Sequence, residues 1–195
     1  MLNDILRNYK IILASGSPRR QRFLADMGLD FEVRVKSVEE IHPPELKGKE
    51  ISDYLAKLKA SPFEGNLDPK EILITSDTVV WHRNKSLAKP KDEREACAML
   101  HTLSNDWHEV ITSVCFTTTT QQVVHSATTQ VKFGVLDDAS INHYIKSCEP
   151  FDKAGGYGIQ EWIGLIGIEE IRGSYSNVVG LPTHLVYKKL IDMVG

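Results

Sequence analysis

The sequence predicts an α+β fold or an α/β fold with a mixed sheet, because strand-like and helix-like segments mix along the chain without strict alternation. The apolar run Ile11–Ala14 is typical of a buried strand and leads through a tight turn into a helix. Phe31–Val35 alternates apolar and polar residues, as a half-buried strand does. Further along, Glu109–Phe116 predicts one strand and Val123–Val135 one or two more, which together form a meander.

Helices are predicted where apolar residues recur at helical spacing between capping and breaking residues. They cover residues 18–27, Ile51–Ala60, 91–103, Asp137–Ser147 and a last helix from about Pro182. Asp92 is the expected cap of the third of these helices, and Asp137 or Asp138 that of the fourth. Tyr54 is expected on the buried face of the second helix, and Ile163–Ile171 has the apolar character of a strand.

Composition bounds the classes of function. With 195 residues, the chain can form one large domain or two joined lobes. A net charge of -3 gives no broad electrostatic attraction to nucleic acid or to an anionic membrane, so neither is an expected partner. No apolar run approaches the ~20 residues of a membrane span, and residues 1–10 lack the apolar core of a signal peptide. The odd, widely spaced cysteines, Cys97, Cys115 and Cys148, favour reduced thiols and a cytoplasmic location.

The strand-turn-helix segment at Ser15–Arg20 is a candidate anion site. Ser17 is a good helix cap and Pro18 suits the first helical position, so backbone N–H groups of the turn point outward at the positive end of a helix. Arg19 and Arg20 add guanidinium groups that match phosphate oxygens in pairs. The alternative is a capped helix with two solvated arginines, and this segment by itself does not decide between them.

An isolated acid marks the next informative stretch. Asp77 interrupts two apolar, β-branched runs, Ile72–Ile74 and Val79–Trp81. Because an unpaired buried charge is very costly, Asp77 must be neutral, paired, bound to a metal or facing a cleft. The cleft is favoured over a turn between two short strands. Glu39 and Glu40, after an earlier strand, are either carboxylate ligands for a divalent cation or part of a solvated loop.

Lysines and glycines supply the remaining candidates. Lys59 lies off the apolar face of its helix and is by default a solubilising residue, whereas Lys89 is held before a proline at a helix entry. The loop Glu149–Gln160 has three glycines in four positions, which permits positive φ and a close approach of backbone to a ligand.

Several stretches match, in order along the chain, motifs of one known family: Ser15–Arg20, Ser76–Val80, Lys89–Asp92, Asp152–Gln160 and Tyr175–Pro182. They resemble the Maf family of nucleoside triphosphate pyrophosphatases over nearly the whole chain. The resemblance implies an α/β fold like that of inosine triphosphatases, with a long curved mixed sheet, helices on its sides and two lobes around a central cleft. It also implies a single Maf-like domain over residues 1–195 and a homodimer.

The implied reaction cleaves a nucleoside triphosphate between its α and β phosphorus atoms and yields the monophosphate and pyrophosphate. A divalent cation, usually magnesium or manganese, is required. The family is regarded as removing non-standard nucleotides, and some members are linked to cell-division arrest.

The family's site residues map onto named positions of this chain. Asp77 matches the proton acceptor and Glu40 an acid that binds the metal, and Asp77 is either the base or a second metal ligand. The triphosphate-binding residues correspond to Ser15, Ser17, Arg19, Arg20, Lys59 and Lys89, and those tied to base choice to Arg19, Thr78 and Gln160.

The motif at Asp152–Gln160 resembles the subfamily that acts on dTTP and UTP, whereas the 7-methyl-GTP subfamily has a Cys-Ala-Gly-Ser type of loop there. Ser76, Ser113 and Gly156 depart from the family pattern of Ala, Gly and Ala, and Gly156 bears on base selectivity. The alternatives are a pyrophosphatase of another base preference, such as 7-methyl-GTP, and a non-catalytic nucleotide sensor that acts through a division partner.

Overall fold

The computed structural model describes residues 2–194. The helices are α1 (Leu2–Ile5), α2 (Pro18–Asp26), α3 (Lys49–Ala60), α4 (Glu93–Leu103), α5 (Asp138–Cys148), α6 (Trp162–Gly167), α7 (Tyr175–Val179) and α8 (Thr183–Val194). The strands are β1 (Lys10–Leu13), β2 (Phe31–Val33), β3 (Glu71–His82), β4 (Lys85–Leu87), β5 (Trp107–Thr117), β6 (Gln122–Phe133) and β7 (Ile168–Arg172). Short 3-10 turns occur at Ser61–Phe63, Pro150–Asp152 and Ala154–Gly156.

The strands form a seven-stranded mixed sheet in the order β2-β1-β3-β5-β6-β7, and β4 pairs with β3. Strand β1 runs parallel to both β2 and β3, whereas β4 is antiparallel to β3 and β7 is antiparallel to β6. The predicted mixed α/β architecture is therefore confirmed.

The register of β1 on β3 determines where the candidate site begins. Leu13 pairs with Ile74, both side chains are fully buried, and the backbone N–H of Ala14 donates to the carbonyl of Ile74 at 2.9 Å. Since the two strands are parallel, the turn that follows β1 leaves the sheet beside the residues that follow Ile74. The central part of β3 and the turn after β1 are therefore neighbours.

The chain divides into two compact units. The first comprises Met1–Asp77, Thr112–Ala127 and Gly180–Gly195, and the second Thr78–Ile111 and Thr128–Val179, so β3, β5 and β6 contribute residues to both. The expected single domain over residues 1–195 stays a prediction.

Each unit has its own apolar core. In the first, Leu24 of α2 and Leu190 of α8 belong to one buried cluster, and Ala56 of α3 to another. The core of the second unit includes Leu100 of α4 and Tyr144 of α5, both with no exposed surface. Apart from Tyr54 of α3, these helices bury the amphipathic faces that were predicted for them.

The predicted helix caps are confirmed for α4 and α5. Asp92 caps α4 by accepting from the backbone N–H of Glu95 at 2.8 Å. Asp137, rather than Asp138, caps α5 by accepting from Ser140 at 2.7 Å.

Two local predictions are wrong, and one alternative is excluded. Strand β3 is continuous through Asp77, which excludes the less favoured alternative of a turn between two short strands. The predicted strand Ile163–Ile171 is helix α6 up to Gly167 and strand β7 after it, because a short apolar run does not distinguish a buried helix from a strand. Tyr54 is 38% exposed instead of facing the core.

Within residues 2–194, none of the helices combines the length and apolar character needed to cross a bilayer. Cys97, Cys115 and Cys148 are free thiols. Burial raises the pKa of the Cys115 thiol, which keeps that side chain protonated in the core.

Candidate active site

The turn between β1 and α2 has a different hydrogen-bond pattern from the one expected. Ser17 occupies the cap position of α2 and Pro18 its first turn, but the Ser17 side chain makes no capping hydrogen bond. Instead, the hydroxyl of the buried Ser15 accepts from the backbone N–H of Ser17 at 3.2 Å. Ser15 therefore shapes the turn, and Arg19 lies half-buried on the first turn of the helix.

Arg20 connects three segments of the first unit. Its Nε donates to the carbonyl of Gly180 at 2.9 Å, and its Nη1 donates to the carbonyl of Ser76 at 2.8 Å. A longer contact of 3.4 Å joins Nη1 to the Ser15 hydroxyl. Desolvation lowers the pKa of Arg20 from its ordinary value, and the nearby Asp77 carboxylate opposes that shift. The guanidinium group thus fixes the turn against the residue that precedes Asp77.

Asp77 is a buried carboxylate, 6% exposed, with a lysine as its partner. The Lys59 Nζ lies 2.6 Å from Asp77 Oδ1 and 3.0 Å from Glu40 Oε2. The side chains of Asp77 and Lys59 are 9% and 17% exposed, whereas that of Glu40 is 43% exposed. The structure therefore brings together three residues that were predicted from separate parts of the sequence.

Helix α3 is held against β3 in a way that directs Lys59 towards Asp77. The hydroxyl of the buried Thr75, two residues before Asp77, donates to the Ala56 carbonyl at 2.6 Å. Ala56 lies almost one turn before Lys59 on the same helix, so this bond fixes both the position and the rotation of the helix end.

A second connection to α3 comes from Ser113, one of the positions that depart from the family pattern. Its hydroxyl donates to Asp53 Oδ1 at 2.6 Å and lies 2.7 Å from the Ser52 hydroxyl. Spacing along the sequence gave no signal for this cluster, because α3 and β5 are separated by about fifty residues of chain.

The other predicted residues belong to the second unit. Thr78 follows Asp77 on β3 and is half-buried. Lys89 is exposed in the loop after β4, and Gln160 is exposed in the turn before α6. The loop that carries Lys89 is joined to the glycine-rich segment, because the backbone N–H of Gly155 donates to the carbonyl of Ala88 at 3.1 Å.

The glycine-rich segment uses the conformations that its composition predicted. Gly155 and Gly156 have φ values of 72° and 71°. A Cβ on Gly155 would lie 3.0 Å from Cγ1 of Val80, whereas a Cβ on Gly156 would meet only ordinary contacts. The close packing at Gly155 joins this segment to the end of β3.

Sequence reasoning missed a charged group beside this segment. The ammonium of Lys153 lies 2.6 Å from Asp152 Oδ1 and 3.1 Å from Glu161 Oε1, and the Tyr144 hydroxyl donates to the Glu161 carboxylate. The family motif contains Lys153, but nothing in the spacing of the sequence connects it with Tyr144.

The carboxylates of Glu40 and Asp77 are the groups of the first unit that could bind a divalent cation. Within residues 2–194, no cluster of three or more His, Cys, Asp and Glu side chains has the arrangement of a metal site. Glu40 and Asp77 converge on one Lys59 ammonium, and both offer oxygen ligands. Magnesium is often bound by one or two carboxylates together with phosphate oxygens of a substrate, so this pair is chemically suited to such an ion.

Comparison with known proteins gives a consistent result over the whole chain. A family model described as "Maf-like protein" matches residues 10–193. A dTTP/UTP pyrophosphatase of Flavobacterium johnsoniae is 56% identical over 194 residues, with 100% of both chains covered. One of Flavobacterium psychrophilum is 59% identical over 192 residues, covering 98% of each chain, and one of Christiangramia forsetii is 53% identical over 195 residues, covering 100% of each.

Among solved structures, the Staphylococcus aureus Ham1 protein has a TM-score of 0.45 with 14% identity, covering 64% of this chain and 71% of that chain.

Proposed function

Because the chain belongs to the Maf-like protein family, we propose that it hydrolyses nucleoside triphosphates to the monophosphate and pyrophosphate, with dTTP and UTP as preferred substrates. The names of the full-length relatives support this substrate class. The observation that carries the proposal is the Asp77–Lys59–Glu40 cluster. Its Asp77 directly follows Ser76, whose carbonyl accepts from Arg20 at the start of α2 and so ties the turn after β1 to β3.

The turn after β1 would bind part of the triphosphate. Backbone N–H groups at the start of α2 and the hydroxyls of Ser15 and Ser17 are donors suited to phosphate oxygens. Arg19 adds a guanidinium group on the first helical turn. The hydrogen bonds of Arg20 to two carbonyls support a bracing role, with its charge adding to the positive field of the turn.

A divalent cation, magnesium or manganese, would be held by Glu40 and Asp77. When bound, it supplies charge neutralisation for phosphate oxygens and a lower pKa for a coordinated water. Lys59, which is paired with both carboxylates, would then be available to a phosphate oxygen. In this mechanism, Asp77 orients or deprotonates the water that attacks the α-phosphorus. Lys59 and Lys89 stabilise the charge that grows on the leaving pyrophosphate.

Base choice would depend on Gln160, Thr78 and Arg19. The side-chain amide of Gln160 both donates and accepts a hydrogen bond, which matches the amide-like edge of thymine and uracil. Gln160 is exposed, so its amide is accessible to a ligand.

Asp77→Asn tests the proposal most directly. The variant should still bind triphosphate, but its turnover should fall by at least the ~10²–10⁴-fold that loss of a general base typically costs, and by more if Asp77 also holds the cation. Asp26→Asn is a matched control, because Asp26 lies exposed on α2 and pairs with the exposed Arg22. Pyrophosphate release by Asp77→Asn within threefold of the wild type would contradict the assignment.

Two further properties are proposed, a homodimer from the family resemblance and a cytoplasmic location from the cysteines. We propose that the protein is a homodimer, which light scattering would test. A cytoplasmic location is supported by the free thiols of Cys97, Cys115 and Cys148, which suit a reducing compartment.

A further inference from the structure

The turn that carries Gln160 is short and internally bonded. The backbone N–H of Glu161 donates to the carbonyl of Gly158 at 3.0 Å, which closes the turn at the entry to α6. Gly164 packs so closely on this turn that an added Cβ would lie 1.9 Å from the Ile159 carbonyl oxygen. Gln160 itself is exposed at the turn's surface, so its side chain needs support from neighbouring groups to hold one orientation.

Tyr144 supports the turn from beneath. Its side chain is fully buried on α5, its hydroxyl accepts from the backbone N–H of Gly158 at 3.0 Å, and the same hydroxyl donates to the Glu161 carboxylate. Burial, followed by the hydrogen bond to Glu161, raises the pKa of Tyr144 above its ordinary value. The phenol therefore remains a donor throughout the range in which an enzyme would be assayed.

Lys153 completes the support at the other carboxylate oxygen. Its ammonium lies 3.1 Å from Glu161 Oε1, and its side chain is only 10% exposed. Glu161 occupies the cap position of α6, yet its side chain makes no capping hydrogen bond. Both of its oxygens are instead engaged by Tyr144 and Lys153, so the carboxylate is held from two sides.

The carboxylate and the Gln160 amide share the space above Gly158. A Cβ on Gly158 would lie 2.8 Å from Glu161 Cδ and 2.9 Å from Gln160 Nε2. The amide of Gln160 therefore packs on a glycine whose backbone N–H is bonded to Tyr144, beside a carboxylate that is bonded to Tyr144 and Lys153.

We propose that Tyr144, Lys153 and Glu161 form a positioning network that fixes the orientation of the Gln160 amide and thereby sets the selectivity for the pyrimidine base. This inference rests on the proposed function, in which Gln160 reads the base. In the proposed function the phosphates are bound by residues outside this network, so its loss should change discrimination between bases more than the rate of the chemical step.

The test compares dTTP with dCTP, whose bases present opposite hydrogen-bonding patterns at the same edge. Tyr144→Phe removes both hydrogen bonds and keeps the ring. It should lower the ratio of kcat/KM for dTTP to kcat/KM for dCTP about tenfold, a factor that corresponds to the loss of roughly one hydrogen bond. The kcat for dTTP should stay within threefold of the wild type. Glu161→Gln is a milder variant, because one amide oxygen and one NH₂ replace two acceptors, and it should lower the ratio by a smaller factor.

A double-mutant cycle separates positioning from a general structural effect. Gln160→Ala should lower the ratio at least as much as Tyr144→Phe, and adding Tyr144→Phe to Gln160→Ala should change the ratio no further. Glu169→Gln is the control, since Glu169 forms an exposed ion pair with Lys132 at 2.7 Å and should leave the ratio unchanged.

Distinct results would overturn the proposal. An unchanged ratio in both Tyr144→Phe and Glu161→Gln, with a lowered ratio in Gln160→Ala, would refute the network and leave the proposed function intact. Equal loss of kcat for both nucleotides, or additive losses in the double variant, would assign these residues a purely structural role. A wild-type protein that releases no pyrophosphate would refute the proposed function and the network together.

Discussion

Replacing Arg20 by lysine should destabilise the protein before any nucleotide is added. Arg20 donates to the Ser76 carbonyl at 2.8 Å and to the Gly180 carbonyl at 2.9 Å from two different nitrogen atoms. A single lysine ammonium lacks the planar fork that reaches both carbonyls, so at least one is left without this donor. A hydrogen bond from a charged donor contributes about 1.5–3 kcal/mol, which for a chain of this size lowers Tm by about 3–12 °C.

Arg22→Lys is the matched control for this experiment. Arg22 lies on the same helix, its side chain is 78% exposed, and it pairs with Asp26 one turn away. Exposed pairs of this kind contribute little, so the control should change the free energy of unfolding by less than about 0.5 kcal/mol. Thermal unfolding followed by circular dichroism, without nucleotide or metal, measures both variants. Equal shifts in Tm for Arg20→Lys and Arg22→Lys would refute the bracing role.

Two further predictions concern stability. Ser76→Ala removes a buried hydroxyl that has no hydrogen-bond partner among the described residues, so it should raise the free energy of unfolding, measured by urea titration, by about 1 kcal/mol. Thr75→Val removes a hydroxyl that donates to the Ala56 carbonyl and should lower the same free energy by about 1 kcal/mol. A loss of stability in Ser76→Ala would contradict the reasoning. Burial lowers the pKa of His108 to about 3, with the neighbouring His82 adding to the shift and Asp106 opposing it. Between pH 6.5 and pH 3 the unfolded chain therefore binds a proton at this histidine that the folded chain does not bind. The free energy of unfolding consequently decreases as the pH decreases. His108→Gln should reduce the loss of stability between pH 6.5 and pH 5 by about 1.6 kcal/mol, and a pH dependence identical to that of the wild type would count against this account.

Local signals made much of the fold predictable. Asp92 and Asp137 cap their helices through backbone groups three residues away, so the information lies within one helical turn of sequence. The first strand and helix are likewise specified by Ile11–Ala14 and Pro18. These features need no knowledge of distant residues, which explains why sequence reasoning located them.

Features that depend on distant partners were not predictable in this way. Strand β3 continues through Asp77 because Lys59, eighteen residues earlier in the chain, supplies the opposite charge. The apolar run after Glu161 becomes helix first and strand second, a division that composition does not encode.

The candidate site likewise has residues that the sequence predicted and contacts that it did not. The resemblance to a family named Asp77, Lys59 and Glu40, and the structure shows that their side chains meet. The attachment of Arg20 to Gly180 spans 160 residues of sequence, and the support of Glu161 by Tyr144 spans seventeen. Contacts at such separations leave no periodic signal, so they had to be found in the structure.

The central claim is tested most directly by pyrophosphate release from a panel of nucleotides, with and without magnesium. The panel comprises dTTP, UTP, dCTP, ATP, GTP and 7-methyl-GTP at equal concentrations. The account predicts magnesium-dependent release that is fastest with dTTP and UTP and is lost in Asp77→Asn. Nucleotides that bind and are recovered intact, or a best rate with GTP or its 7-methyl form, would contradict it.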